Sequence, residues 1–126
     1  MNPVTALALG RIGVGVASLV NPQAVAATLG SSSADGSAAL VTQWFGSREI
    51  ALGAATLLAS GGARTTLVLA GMAVDGSDAA TAYAALGRGT LPREVGMAMV
   101  GIAAGAVAAG ALGLRLVKRP PLVVAE

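Results

Sequence analysis

Thr65–Leu86 reads TTLVLAGMAVDGSDAATAYAAL, an apolar run long enough to cross a bilayer that carries Asp75 and Asp78 near its middle. A spanning helix needs about 20 residues, each rising about 1.5 Å. Three other windows have the same character: Val4–Val20, Ala38–Ser60 and Leu91–Leu116. Four such windows in 126 residues leave almost nothing for a soluble domain. The pattern predicts an all-α, single-domain membrane protein. Its fold is expected to be a four-helix transmembrane bundle of antiparallel up-down topology, with helices over about 3–20, 38–60, 65–86 and 91–116.

Composition points the same way. The chain is 55% hydrophobic and 11% charged, with a mean hydropathy of +0.76. A soluble domain carries about one-quarter charged residues, and a soluble helix of this length shows a wide charged face. Strand alternation is absent, and an Ala-rich chain favours helix. With no Cys and no His, thiolate or imidazole metal ligands, disulfides and thiol redox chemistry are excluded. No catalytic residue, metal or cofactor is expected. The formal charge is only +2 and no basic patch is interleaved with aromatics, so nucleic acid is not an expected partner.

Along the chain, Pro3 suits the first turn of a helix. Ala8, Arg11, Gly15 and Ser18 follow helical spacing and form one small, polar stripe. Asn21-Pro22 reads as a cap followed by the first residue of a short interfacial helix, Pro22–Leu29, closed by Gly30. SSSADGS is the one clearly polar loop. An apolar IGVGVASLV ahead of AVAA mimics a signal peptide, but no Lys or Arg precedes Thr5, and Arg11 interrupts the apolar core. The first window therefore reads as a retained helix.

Trp44, Phe45 and Tyr83 fall near helix ends, where amphipathic rings sit at a membrane interface. In the second long helix Glu49, Gly53, Thr56 and Ser60 share a face, as do Gly71, Asp75, Asp78 and Ala82 in the third. SGGAR is short enough only for an antiparallel turn. The fourth long helix begins after GRGTLP with a second charged pair, Arg93-Glu94, and continues through Gly101 and Gly105. Small-xxx-small spacing of that kind favours helix packing in lipid, and an intramolecular contact is the preferred reading over a dimer face. Arg48-Glu49 and Arg93-Glu94 begin similar six-residue segments, which suggests two related hairpins. Arg64, Arg115, Lys118 and Arg119 lie on one side and Arg88 and Arg93 on the other, so the positive-inside rule puts both termini in the cytoplasm.

Five charges remain inside the apolar windows: Arg11, Arg48, Glu49, Asp75 and Asp78. Counted from the cytoplasmic ends they lie roughly 12–20 Å deep. A charge at a helix centre costs roughly 2.5–3.5 kcal/mol on insertion scales. The economical arrangement turns all five inward, with Arg11 gripping Asp75, Arg48 gripping Asp78, and Glu49 either in the same network or neutral. Such a layer either fixes helix packing or marks an ion, proton or ligand site.

With Arg11-x-x-x-Gly15, Asn21-Pro22, Gly46-Ser47-Arg48-Glu49, Gly53 and an acid in the third long helix, the chain resembles the small DoxX-like bacterial membrane proteins. The resemblance implies a four-helix bundle in the bacterial plasma membrane and intramembrane Arg and acid positions. Some members of that group are linked to quinone-dependent oxidation of sulfur compounds. Lacking Cys and His, this chain does not inherit that activity, and a quinone-linked redox subunit rests on resemblance alone. The leading expectation is a non-enzymatic subunit or scaffold of a membrane assembly, whose partners are the lipid bilayer and another membrane protein or a second copy. The alternative is a protein that binds or moves a proton, a small solute or a lipid-like molecule through its intramembrane carboxylates.

Overall fold

The computed structural model describes residues 2–28 and 36–117, and among them every regular element is helical. Helix α1 is Pro3–Val20, α2 Pro22–Thr28, α3 Ser37–Leu58, α4 Gly61–Gly87 and α5 Arg93–Val117. Asn2 Oδ1 accepts the Val4 N–H at 2.9 Å and caps α1, with Pro3 in the first turn. Asn21 ends α1 through its N–H to the Ala17 carbonyl, and its side chain then accepts the Ala24 N–H at 3.2 Å. One residue thus closes one helix and opens the next. The expected end of that short helix at Leu29 and Gly30 lies outside the described residues, as does residues 31–35 of the polar loop.

Two boundaries differ from the sequence expectation. Gly61, Gly62, Ala63 and Arg64 belong to α4, leaving only Ala59 and Ser60 to turn the chain. Ser60 is extended and its carbonyl accepts the Arg64 N–H, so the helix begins as soon as the turn ends. Arg64 thereby lies within the helix, and its Nη2 donates to Thr5 Oγ1 at 2.7 Å. At the other boundary α5 starts at Arg93, because Leu91 precedes a proline and is driven out of the helical region. The α4–α5 turn depends on Gly89, whose φ of +67° lets the Thr90 N–H reach the Ala85 carbonyl at 3.1 Å.

Packing is set by glycines. A Cβ added at Gly15 would stand 2.6 Å from the Gly46 carbonyl oxygen, and one at Gly53 would stand 2.6 Å from that of Ala8. Two turns back along α1 therefore match two turns forward along α3, which is an antiparallel register. Gly96 lies against Leu86 and Gly110 against Met72, giving α5 the same antiparallel relation to α4. Gly113 abuts Val4 and brings α5 back to α1. The α1–α3 and α4–α5 pairs have the most extensive contacts, and α3 touches α4 much less. Both the start of α1 and the Ala59–Ser60 turn lie at the end of the molecule where α5 finishes.

Small apolar and several polar side chains are buried, while many large apolar ones are exposed. The buried apolar side chains are small or β-branched: Val4, Ala8, Ala26, Val68, Ala82, Val95 and Ala103. Beside them lie Arg11, Ser18, Glu49, Thr56 and Asp75, all buried. Leu58, Trp44, Leu69, Ile102 and Leu112 are each more than half exposed. By length and composition two helices, Pro3–Val20 and Arg93–Leu116, are able to cross a membrane. Four were expected. Arg48 and Glu49 in α3, and Arg64, Asp75 and Asp78 in α4, lower the apolarity of the other two.

Candidate functional site

The five intrahelical charges meet in one network. Arg11 comes from the middle of α1, Arg48 and Glu49 from the middle of α3, and Asp75 and Asp78 from α4. Helical spacing puts Ala8, Arg11, Gly15 and Ser18 on the buried stripe of α1, so the guanidinium points into the interior. Its Nη2 donates to Asp75 Oδ2 and its Nη1 lies 3.3 Å from Asp75 Oδ1, a forked grip. Nη1 also donates to Glu49 Oε2 at 2.6 Å. Gly71 makes room for this group: a Cβ there would stand 3.1 Å from Arg11 Nη2.

Arg48 forks onto Asp78, with Nη2 to Oδ2 at 2.5 Å and Nη1 to Oδ1 at 3.3 Å. Its guanidinium also lies 5.2 Å from the centre of the Phe45 ring, within cation–π reach. The two forks are joined through Glu49, whose Oε1 is 3.6 Å from Arg48 Nε. That distance is an ion pair and too long for a hydrogen bond. Both atoms are buried and lack a hydrogen-bond partner. The result is a ladder of alternating sign, running Asp75, Arg11, Glu49, Arg48, Asp78. Three carboxylates face two guanidiniums.

The ladder is not uniformly buried, and here the expectation of five inward-facing charges is corrected. The Arg11, Glu49 and Asp75 side chains are almost wholly enclosed, whereas those of Arg48 and Asp78 are 36% and 39% exposed. The cause is geometric. Arg11 and Asp75 meet in the interior, while Arg48 and Asp78 bridge α3 and α4, which touch each other far less than α1 touches α3 or α4 touches α5.

Other residues singled out on the sequence fall elsewhere. Arg93 and Glu94 are exposed in the first turn of α5, with Glu94 placed favourably for the helix dipole. They do not join the ladder, and their setting is unlike that of Arg48 and Glu49 at mid-helix, so the two segments are not structural equivalents. Gly101 and Gly105 have nothing within 4 Å of an added Cβ and lie exposed. The intramolecular contact expected of them is made instead by Gly96, Gly110 and Gly113, on the face that also buries Val95 and Ala103. So many positions of α5 are small that spacing alone selects no face.

One small cavity adjoins the ladder. A cavity of about 10 Å³ lies between α1, α3 and α4, lined by Val4, Ala8, Arg11, Thr56, Val68 and Gly71. That is room for about one water molecule. A larger open groove, about 480 Å³, runs between Pro3, Leu7, Leu112 and Arg115 at the end of the molecule, away from the carboxylates. Among the described residues no group of three or more His, Cys, Asp or Glu is placed to hold a metal ion.

No known protein family matches the chain, and no curated protein or solved structure is similar to it. The resemblance to DoxX-like proteins therefore rests on short motifs alone.

Proposed function

We propose that the chain is a small four-helix protein of the membrane and a non-enzymatic subunit of a membrane assembly, with its charged ladder acting as the clamp that fixes the helices. The observation that carries this reading is the pattern of burial, with Arg11, Glu49 and Asp75 inside and large apolar side chains outside. A core helix of a soluble protein is mostly buried, yet only 28% and 22% of the apolar windows of α1 and α5 are. Ion pairs are rarely enclosed in water-soluble domains, and large exposed apolar faces there are liabilities. In hydrocarbon the same distribution is the stable one.

The tight forks and the one-water cavity support a clamp in preference to a ligand chamber. Membership of an assembly is supported by the exposed end of the ladder. Arg48 lies near the middle of α3, about 15 Å from either end at about 1.5 Å per residue. In a spanning α3, a half-exposed ion pair at that depth would face lipid at a cost of roughly 2.5–3.5 kcal/mol per charge. Another protein surface removes that cost.

A second reading is a site that handles a proton or small solute at the carboxylates. It is favoured by the buried Glu49 Oε1, which accepts no hydrogen bond, and by the excess of acids over bases in the ladder. Membrane fractionation with an alkaline carbonate wash, followed by mild-detergent purification and mass spectrometry, tests the leading reading. The protein is expected in the washed membranes, in a complex of more than one chain at fixed stoichiometry. Recovery in the carbonate supernatant defeats it.

A further inference from the structure

We infer that the exposed flank of α3 and α4 around Arg48 and Asp78 is an interface with a second copy of this chain, related to the first by a two-fold axis. The inference rests on the membrane reading above and names the partner it calls for. The patch carries one guanidinium and one carboxylate side by side, 2.5 Å apart, with more than a third of each side chain exposed. A two-fold axis through such a pair sets the Arg48 of each copy against the Asp78 of the other. Four charges of alternating sign then close into a ring, and the surface is its own complement, as an isologous contact requires. A partner with a single sign of charge would leave one member of the pair uncovered.

The surroundings suit close approach of helices. One turn from Arg48 on α3 stands Ala51, exposed and small, and one turn the other way stands Trp44, 67% exposed. One turn from Asp78 on α4 stands Thr81, also exposed, with a hydroxyl able to bond across an interface. Small residues permit the contact, the indole supplies area at its edge, and the ion pair supplies register.

Charge exchange between copies tests the inference. Arg48→Glu and Asp78→Arg, each expressed alone, place like charges across the axis and are expected to weaken self-association roughly tenfold. Co-expressed with different tags, the two variants restore both opposite-sign contacts in the mixed pair, which is expected to be captured in preference to either self-pair. An intramolecular role alone predicts no such rescue, because each variant stays broken within itself. Where a single variant fails to fold, the cysteine-free chain provides a second measurement. Co-expressed with different tags, Trp44→Cys and Thr81→Cys lie at matching depth across the axis and are expected to form a mixed disulfide-linked dimer on mild oxidation in native membranes, whereas Val16→Cys on α1 paired with Thr81→Cys is not. A membrane-integrated monomer, absence of the mixed cross-link, or cross-linking there to a different protein overturns the inference and leaves the membrane reading standing. Release of the unaltered chain by carbonate defeats the membrane reading itself.

Discussion

Arg11 Nη1 reaches Glu49 Oε2 at 2.6 Å while the same guanidinium forks onto Asp75, so one cation on α1 holds two carboxylates from two other helices. Removing it strands both. Arg11→Leu is expected to cost about 3–5 kcal/mol or abolish folding, as the loss of one partner of a buried pair does. Asp75→Leu should fall in the same range. The double change recovers only part of the loss, because Glu49 then keeps only the longer contact to Arg48. Adding Glu49→Gln should recover more. Thermal unfolding in detergent across this series measures the coupling, and a double variant no better than the worse single one breaks the assigned pairing.

The pairing was legible because helical spacing and depth are both written in the chain. Arg11 falls on the one polar stripe of α1, and Asp75 and Asp78 lie one turn apart on α4. Three features were not legible, each for a physical reason. The half exposure of Arg48 and Asp78 depends on how far α3 stands from α4, which no local pattern encodes. The packing face of α5 was hidden because Gly and Ala occur on every side of it. Gly61-Gly62 read as a break, yet two residues suffice to turn the chain and the glycines join the helix.

Glycine substitutions separate the true packing face from the apparent one. Gly53→Leu forces atoms into the Ala8 carbonyl and the Ile12 side chain, where an added Cβ already stands 2.6 and 2.8 Å away. Overpacking of this kind costs about 1–3 kcal/mol and often more against backbone. A Cβ added at Gly105 meets nothing within 4 Å, and Gly105→Leu removes a flexible residue from a helix interior, so monomer stability should hold or rise by up to about 1 kcal/mol. Equal melting temperatures for the two variants would contradict the packing described.

Orientation follows from the antiparallel register and the basic residues. Ser60 lies at the end shared by Arg64 and Arg115, and Thr90 at the end shared by Arg88 and Arg93; both are exposed. On the membrane reading proposed above and the sequence's count of basic residues, the positive-inside rule predicts that Ser60 is cytoplasmic. In intact cells an impermeant thiol reagent should label Thr90→Cys and spare Ser60→Cys until the membrane is opened. The reverse pattern inverts the protein, and equal labelling of both removes the spanning arrangement.

Glu49→Gln distinguishes the clamp from a proton or solute site. The amide matches the carboxylate in size, and its oxygen still accepts from Arg11 Nη1. What disappears is one negative charge, leaving two acids to balance two guanidiniums. Arg11 retains its fork to Asp75 and Arg48 its fork to Asp78, so both cations stay paired. The cost should be near the difference between a charge-assisted and a neutral hydrogen bond, about 1 kcal/mol. Glu49→Leu is different: it withdraws the acceptor altogether and leaves Arg11 Nη1 with only the 3.3 Å contact to Asp75. It should cost about 1–3 kcal/mol more than the amide. If the ladder is only a clamp, Glu49→Gln assembles with its partners as the unaltered chain does. Normal folding and assembly combined with lost proton-coupled or solute-coupled function in a reconstituted system would transfer the assignment to the carboxylate reading.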